Sequence, residues 1–380
     1  MRAAIYAANL RHGGGASGAS TFLDDLPRLA EDGYLEGFEH LEVVASTFVV
    51  DNMVRAVEIS GLPNVSFVVR DDFPHLKSVF RRSAPERPDY DVEFVVRGPH
   101  YAPLRARRTI LGFADGSIFF PAPRLRGESR VRRLRGKALN VVKRRLMHQY
   151  DAFVVQTPRL GAKVLSTVSG LPVHVIPNSP SQLFTNPELW RSTTIPEARP
   201  GSLRLFYPAR GYPHKNHSII GPVGEILEHD HGVRLDVVVT LRDAEFSDLD
   251  SVTRRYCTNA GEVGLDQCPP LYQATEGVFF PSLNETFSVT PLEAMIMRRP
   301  VVASDRDFVR ETAGETPFYF EPLDPKAAAE AISDAFLSGL DNRRRLAAGV
   351  EFVNNLPTPY RRSKEYMRVL RNTGSFSDGL

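Results

Sequence analysis

The chain has 380 residues, of which 42% are hydrophobic, so it is too long for one ordinary core and long enough for two domains. Its 47 Lys and Arg residues nearly balance its 45 Asp and Glu residues, so no overall electric field favours nucleic acid as a partner. Cys257 and Cys268 are the only cysteines, which excludes a disulfide framework and fits a reducing compartment. No stretch reaches the roughly 20 apolar residues of a membrane-spanning helix, so we expect a cytoplasmic protein.

Short apolar runs alternate with helical patterns along the chain, and this alternation predicts α/β domains with doubly wound sheets. The predicted strands of the first half are Ala3–Ala8, Leu41–Ser46, Val65–Val69, Val92–Val96, Thr109–Phe113, Ala152–Gln156 and Val173–Ile176. Those of the second half are Leu203–Pro208, Leu235–Thr240, Gly277–Pro281, Pro300–Ala303 and Phe318–Phe320, with helices that include Asn216–Glu228 and Pro325–Leu337.

A polar, proline-rich stretch without periodicity, Pro187 to Gly201, separates the two series of strands. We therefore expect an N-terminal domain at about residues 1–178 and a C-terminal domain at about 179–357, with a ligand cleft between them.

A glycine-rich segment follows the first strand, where Gly13-Gly14-Gly15-Ala16-Ser17-Gly18 fits the Gly-x-Gly-x-x-Gly pattern. Glycine lets a ligand approach the backbone, and the helix that follows offers free N–H groups to an anion. An NAD site would also need an acidic residue after the second strand, and Ala45-Ser46-Thr47-Phe48 contains none. We favour a loop that binds a sugar or phosphate through Gly14 and Gly15; a plain strand-to-helix turn is the alternative.

A basic run, Arg124 to Arg145, lies in a predicted helix in which apolar residues such as Leu134 and Val141 interleave with the cations. A solvated helix face is the simplest interpretation. A surface for anionic lipid or for a polyprenyl-phosphate-linked acceptor is the second. Nucleic acid is disfavoured because RNA-reading aromatic motifs are missing.

Two cations follow the strand at Leu203–Pro208, in the segment Tyr207-Pro208-Ala209-Arg210-Gly211-Tyr212-Pro213-His214-Lys215-Asn216-His217. Ligands of α/β sheets bind at such strand ends. Arg210 can hold phosphate oxygens bidentately and Lys215 adds a mobile charge, so the pair suits a diphosphate, although two ordinary surface cations would look the same.

Two glutamates, Glu285 and Glu293, stand in the segment Pro281 to Met295, between a strand and a helix. Their carboxylates could accept hydrogen bonds from sugar hydroxyls while the helix N-terminus faces a diphosphate. Thr290-Pro291-Leu292-Glu293 also reads as a capping box, so a purely structural role for Glu293 is equally open.

Together these features resemble, in their order, the retaining GT-B glycosyltransferases of family 4. The similarity adds a strand ending in Val175-Ile176-Pro177-Asn178, and Leu271-Tyr272-Gln273-Ala274 ahead of Phe279-Phe280-Pro281-Ser282. The resemblance implies two Rossmann-like domains facing a deep cleft, with the nucleotide sugar on the C-terminal domain and the acceptor on the N-terminal one. It also implies that the last helix, about Pro359 to Leu370 within residues 358–380, crosses back to the N-terminal domain.

In that family the Arg and Lys neutralise the donor diphosphate, the first Glu lies by the donor sugar and the second binds the ribose hydroxyls. The resemblance gives these roles to Arg210, Lys215, Glu285 and Glu293, and it adds as substrate-binding residues Asn178, Thr286, Phe287, Ser288 and Val289.

Two departures from the family pattern affect the details. Ser288 stands where the family usually has Gly, which removes backbone freedom near the donor. Ala114 stands where many relatives have His, so we choose the neighbouring Asp115 as the acceptor-side polar residue, with His100 as the alternative.

The resemblance thus predicts a retaining hexosyltransferase that makes a cell-surface polysaccharide or glycolipid and is cytoplasmic or peripheral at the inner face of the plasma membrane. The resemblance also implies that no cofactor and no metal are needed, and the sequence agrees with this, because Asp248-Leu249-Asp250 falls in a polar helical or loop stretch and not after a strand. An epimerase or phosphorylase of related fold and a catalytically idle binding module are the alternatives.

Overall fold

The computed structural model describes residues 1–11, 13–71, 89–98, 105–120, 130–338 and 342–375. The chain divides into two compact units, a first unit of Met1–Asn178 with Pro357–Leu380 and a second unit of Ser179–Leu356. His100 and residues 124–129 of the basic run lie outside the described residues. None of the described helices is both long and apolar enough to cross a membrane.

The first unit contains a parallel sheet of seven strands in the order β3-β2-β1-β4-β5-β6-β7. The strands are β1 Arg2–Ala7, β2 His40–Ala45, β3 Val65–Val69, β4 Tyr90–Gly98, β5 Ala106–Phe113, β6 Ala152–Val155 and β7 Val173–Val175. Its helices begin with α1 Gly13–Asp24, α2 Leu26–Glu31, α3 Thr47–Asp51, α4 Ala56–Ile59, α5 Arg130–Met147 and α6 Pro158–Thr167. All seven predicted strands of this half, and the helix in the basic run, are confirmed.

The glycine-rich segment is helical, because α1 already begins at Gly13. The predicted loop is therefore wrong. Ala16, Ala19, Phe22 and Leu23 recur at helical spacing and are fully buried. Burial of this face against the sheet outweighs the low helix propensity of the glycines.

The second unit contains a parallel sheet of six strands in the order β10-β9-β8-β11-β12-β13. The strands are β8 Ser202–Tyr207, β9 Arg234–Val239, β10 Cys257–Asn259, β11 Gly277–Phe280, β12 Val301–Ser304 and β13 Phe318–Phe320. The helices are α7 Ile220–His231, α8 Asp243–Ser247, α9 Ser251–Arg255, α10 Cys268–Gln273, α11 Thr290–Ile296, α12 Asp307–Ala313, α13 Pro325–Phe336 and α14 Arg343–Asn354.

Two features of the second unit differ from the prediction. β10 was not predicted, because an edge strand of three residues reading Cys-Thr-Asn has no apolar run. The helix predicted from Asn216 begins at Ile220, because Asn216 has a left-handed backbone with φ of 58°. The other five strands of this half are confirmed.

The last helix, α15 Pro359–Ser375, packs on the first unit. The Tyr366 ring lies edge-on to Phe22 and Phe94, with centroids 5.1 and 5.2 Å away. The buried Arg362 guanidinium donates to Asn178 Oδ1 and to the carbonyl of Gly18. The helix thus completes the core of the first unit.

We expect Tyr366→Ala to lower the free energy of unfolding of the first unit by about 3–5 kcal/mol, the usual cost of truncating a buried aromatic residue. Urea denaturation followed by fluorescence measures this change. Arg361→Ala, on the exposed side of the same helix, is the control and should change stability by less than about 0.5 kcal/mol. Equal effects of the two variants would contradict the packing of α15.

Candidate functional site

The strand order of the second unit reverses between β8 and β11, which lie next to each other although they are far apart in sequence. Ligands of open α/β sheets bind outside the carboxyl ends of the strands at such a switch point. Arg210 and Lys215 follow β8, and Glu285 follows β11. The structure thus brings three of the predicted site residues to the switch point.

Lys215 and Glu285 form an ion pair, with Lys215 Nζ 2.6 Å from Glu285 Oε1. Their side chains are 16% and 14% exposed, so the pair is largely withdrawn from water but still open to a ligand. Because opposite charges attract more strongly where water is scarce, each side chain holds the other in place.

Backbone contacts fix the segment that carries Lys215. The Tyr207 hydroxyl donates to the Lys215 carbonyl at 2.8 Å. The His214 carbonyl accepts from the backbone N–H of Leu283 at 2.7 Å and from Ser282 Oγ at 3.3 Å. Since Ser282 and Leu283 directly precede the Glu285 segment, these bonds hold the two charged segments together.

Asn216 makes a further connection between the same segments. Its Nδ2 donates to the carbonyls of Pro281 and Pro322, at 3.3 and 2.8 Å, and the side chain is buried. Asn is one of the few residues that tolerate the left-handed backbone found here. Asn216 therefore turns the chain sharply after Lys215 and anchors the turn.

Arg210 is fully engaged by carboxylates. Its Nε and Nη2 donate to Glu245 at 3.1 and 3.0 Å, and its Nη1 donates to Glu262 at 2.6 Å. Glu262 also pairs with Arg242 at 2.8 Å. A Cβ on Gly211 would stand 3.0 Å from Glu245 Cβ, so the glycine allows this close approach. The guanidinium of Arg210 is therefore held between the carboxylates of Glu245 and Glu262.

Glu293 is buried in α11, and its Oε2 accepts a hydrogen bond of 2.8 Å from the Tyr272 hydroxyl. Burial raises the pKa of the Glu293 carboxyl to about 7, although the bond from Tyr272 acts in the opposite direction. The capping-box alternative is wrong, because Val289 occupies the N-cap position and no side chain caps the helix. The Glu293 carboxylate contacts the Tyr272 hydroxyl instead.

The residues between the two glutamates connect β11 to α11. Thr286, Phe287 and Val289 are partly exposed, whereas Ser288 is buried. Ser288 has no positive φ; the non-glycine residues of the described ranges that do are Asn64, Asn216 and Arg298. The serine at this position therefore places no strain on the backbone, and the loss of glycine's freedom has no backbone cost here.

The predicted residues of the first unit lie at several places. Asp115 follows β5, and its carboxylate pairs with Lys143 of α5 at 2.5 Å. Asn178 is buried and engaged by Arg362. Gly14 has open space where a Cβ would be, whereas a Cβ on Gly15 would stand 3.0 Å from Arg97 Cδ.

Four residues that shape the site were not among the predicted site residues, although Asn216 and Tyr272 stand in segments singled out from the sequence: Glu245, Glu262, Asn216 and Tyr272. Glu245 lies just after β9, the neighbour of β8. A survey of the charged residues that follow each predicted strand would have found it. The contacts of the other three join segments distant in sequence and leave no local signal.

Within the described ranges, no three His, Cys, Asp or Glu side chains are grouped so that they could hold a metal ion. Asp250 of the Asp248-Leu249-Asp250 segment caps α9 by accepting from the Thr253 N–H. Metal independence stays a prediction.

Comparison with known proteins finds a family model that matches part of the second unit. Residues 205–337, about a third of the chain, match the family model for glycosyl transferases group 1. A segment of 73 residues is 32% identical to the O-antigen chain mannosyltransferase RfbU of Salmonella typhimurium. The aligned segment covers 19% of this chain and only 21% of that protein.

Solved structures match over nearly the full chain at low sequence identity. A glycosyltransferase from Rickettsia africae has a TM-score of 0.64 at 12% identity, covering 99% of this chain and 98% of that one. The sucrose-phosphate synthase of Thermosynechococcus elongatus has a TM-score of 0.65 at 15% identity, covering 99% of each. An α,α-trehalose-phosphate synthase from Burkholderia vietnamiensis has a TM-score of 0.64 at 12% identity, covering 100% of this chain and 98% of that one. Residues 205–337 are therefore similar to the glycosyl transferases group 1 family, and the two parallel sheets of the chain match the GT-B fold of these solved structures.

Proposed function

We propose that the protein is a retaining glycosyltransferase of family 4 that moves a hexose from a nucleotide-diphosphate sugar to a glycan or lipid-linked acceptor, without a metal or other cofactor. The observation that carries the proposal is the Lys215–Glu285 pair at the β8/β11 switch point of a glycosyl transferases group 1 domain. A cation and a carboxylate in contact suit a ligand that is anionic at one end and hydroxyl-rich at the other.

The chemistry that these residues would supply is electrostatic. Breaking the bond between sugar and diphosphate leaves negative charge on the departing diphosphate, and Lys215 and Arg210 would stabilise that charge. Glu285 would lie beside the donor sugar, where its carboxylate accepts hydrogen bonds from hydroxyls. Front-side attack by the acceptor hydroxyl would retain the configuration at the anomeric carbon.

Glu293 would bind the ribose of the donor. Its carboxylate is largely buried a short way along the chain from Glu285, and a hydrogen bond from a hydroxyl to a carboxylate is stronger in a poorly hydrated site than in water. The 2′-deoxy form of the donor nucleotide should therefore bind less tightly than the ribose form.

The first unit would bind the acceptor, with Asp115 at the end of β5 as its polar residue. The likeness to an O-antigen chain mannosyltransferase supports a role in cell-surface polysaccharide or glycolipid synthesis. Such a role would place the protein in the cytoplasm or at the inner face of the plasma membrane.

A screen of UDP-, GDP-, dTDP- and ADP-sugars tests the proposal. One donor should raise the melting temperature, since a ligand at 100 times its Kd stabilises a protein by about 2.7 kcal/mol. That donor should then be slowly hydrolysed, and NMR of the glycoside formed with an added acceptor should show that the anomeric configuration of the donor sugar is retained. Binding without hydrolysis or transfer would support an idle binding module, and a changed sugar would support an epimerase.

We also propose that α5 lies against an anionic lipid surface. Its inner face is occupied, since Asn140 donates to the Ser117 carbonyl and Lys143 pairs with Asp115. Its outer face carries Leu134 and Val141, which are 66% and 53% exposed and lie about two helical turns apart on the same side of the helix. The exposed Lys137, Ala138 and Arg145 complete this face. Exposed apolar side chains flanked by cations are typical of helices that lie in a membrane interface.

The protein should therefore sediment with vesicles that contain 30% phosphatidylglycerol, and added salt should weaken this binding because it screens the cations. The variant L134S/V141S removes the apolar part of the face and should lower binding at every salt concentration. Pure phosphatidylcholine vesicles are the control and should bind little. Sedimentation that is independent of salt and of lipid charge would contradict the assignment.

A further inference from the structure

Tyr272 lies on α10, and its hydroxyl donates to the carboxylate of Glu293, the residue proposed to bind the ribose. We propose that Tyr272 is a positioning residue for Glu293, whose carboxylate its hydroxyl orients toward the ribose of the donor. The inference rests on the proposed function, because it takes the ribose as the ligand of Glu293.

The Tyr272 ring is held rigidly. It is fully buried in α10 and lies edge-on to Phe206 of β8 and to Phe184, with centroids 4.9 and 5.7 Å away. Perpendicular aromatic pairs of this kind fix both the position and the tilt of a ring. A ring fixed on two sides directs its hydroxyl to one place.

That place is Glu293 Oε2, which the Tyr272 hydroxyl reaches at 2.8 Å. A glutamate side chain has three rotatable bonds, and a bond from a rigid donor selects one orientation of the carboxylate. This bond uses one lone pair of Oε2, and in the proposed arrangement Oε1 and the remaining lone pair of Oε2 accept from the ribose hydroxyls. The Tyr272 hydroxyl thus fixes the orientation of the Glu293 carboxylate and uses only one of its acceptor positions.

The surroundings of Glu293 explain why the bond matters. The titratable groups that face it are Tyr272 and Cys268, both on α10, and no cation of the described residues pairs with it. A buried carboxylate without a cation depends on hydrogen bonds to keep its charge. Removing the Tyr272 hydroxyl should therefore both loosen the carboxylate and raise its pKa further above 7.

Tyr272→Phe tests the inference, because phenylalanine keeps the packing against Phe184 and Phe206 and loses only the hydroxyl. The probe is the nucleoside diphosphate, UDP or GDP, that matches the donor found in the screen, and calorimetry measures its Kd between pH 6 and 9. Wild-type binding should weaken as the pH falls through about 7, because protonation removes the charge of Glu293. In the variant, Kd at pH 7 should be about tenfold higher and the midpoint should lie at a higher pH.

Tyr256→Phe is the matched control. The Tyr256 hydroxyl also donates to a glutamate of the second unit, Glu228 Oε2 at 2.6 Å. Tyr256 directly precedes β10, so it lies at the amino ends of the strands, opposite the carboxyl ends where the candidate site is. This variant should show the wild-type Kd and midpoint. Glu293→Gln should bind weakly without the transition near pH 7, and its curve also records the titration of the nucleotide's own phosphate near pH 6.

Two results would overturn the inference, and only the second would also contradict the proposed contact between Glu293 and the ribose. If Glu293→Gln weakens binding while Tyr272→Phe keeps both the wild-type Kd and the wild-type midpoint, Tyr272 only packs the core. If Glu293→Gln itself binds like the wild type, the ribose does not contact Glu293, and that part of the proposed function fails along with the inference.

Discussion

Replacing Glu285 by Gln is expected to lower kcat/KM for glycosyl transfer by about 100- to 1000-fold, the usual effect of removing one group that stabilises a transition state. The charge of Glu285 is lost, while its shape and one acceptor oxygen remain. Because Lys215 keeps an acceptor within reach, we expect the melting temperature to fall by only a few degrees. Initial-rate kinetics with the donor found in the screen, together with calorimetry, measure both quantities.

The matched control is Glu228→Gln. Glu228 is also a paired glutamate of the second unit, since it accepts from Arg255 and Tyr256. It lies near the amino ends of the strands, however, and not at their carboxyl ends. We expect wild-type kcat/KM for this variant. A Glu285→Gln protein with wild-type turnover and a large loss of stability would show that the Lys215–Glu285 pair is only structural.

Lys215→Met sharpens the same test. If the pair serves catalysis, each single variant and the double variant should all be strongly impaired, because each residue contacts the donor. If the pair is structural, the double variant should recover stability, since no unpaired charge is left behind. A double-mutant cycle of kcat/KM and of the free energy of unfolding separates these two interpretations.

Local sequence patterns were sufficient to predict the two parallel sheets and the location of the site at the carboxyl ends of the strands. Apolar runs predicted β8 and β11, and the charged residues that follow these runs, Arg210, Lys215 and Glu285, were predicted to lie at the ends of the two strands. Topology then determined that the two strands are neighbours, and the sequence does not encode this locally. The partners of these residues lay beyond such reasoning, as Glu245 is 35 residues from Arg210 and Glu285 is 70 from Lys215.

Local signals also misled where tertiary contacts prevailed. Thr290 to Glu293 matches a capping box, but burial beside Tyr272 turns the Glu293 carboxylate away from the helix end. The glycines after β1 favour a loop by propensity, but α1 gains more by burying its apolar face. In both cases the free energy of a packed interior exceeds that of the local preference.

The second large effect concerns Arg210, whose partners allow two interpretations. In the first, Glu245 and Glu262 hold the guanidinium until a diphosphate, which has more charge and more acceptor oxygens, replaces them. In the second, Arg210 only links α8 to the segment after β8. We expect the first to hold, and Arg210→Ala to lower kcat/KM by about 1000-fold with a clear rise in the donor KM.

Arg210→Lys should recover little of this loss, because an ammonium group cannot form the two parallel bonds of a guanidinium. Arg255→Lys, whose arginine pairs with Glu228 at 2.7 Å at the opposite edge of the sheet, is the control and should turn over like the wild type. A Lys variant with full activity would show that a point charge is sufficient at position 210.

Glu245→Gln separates the two interpretations of Arg210. A glutamine keeps the size of the side chain but competes less for the guanidinium, so a diphosphate that must displace Glu245 should bind as tightly as before or more tightly. If Arg210 is instead a structural link, Glu245→Gln should lose stability as Arg210→Ala does, and donor binding should be unchanged in both. Nucleotide titration and thermal unfolding of these two variants decide whether the carboxylates around Arg210 reserve the cation for the donor or simply bind it permanently.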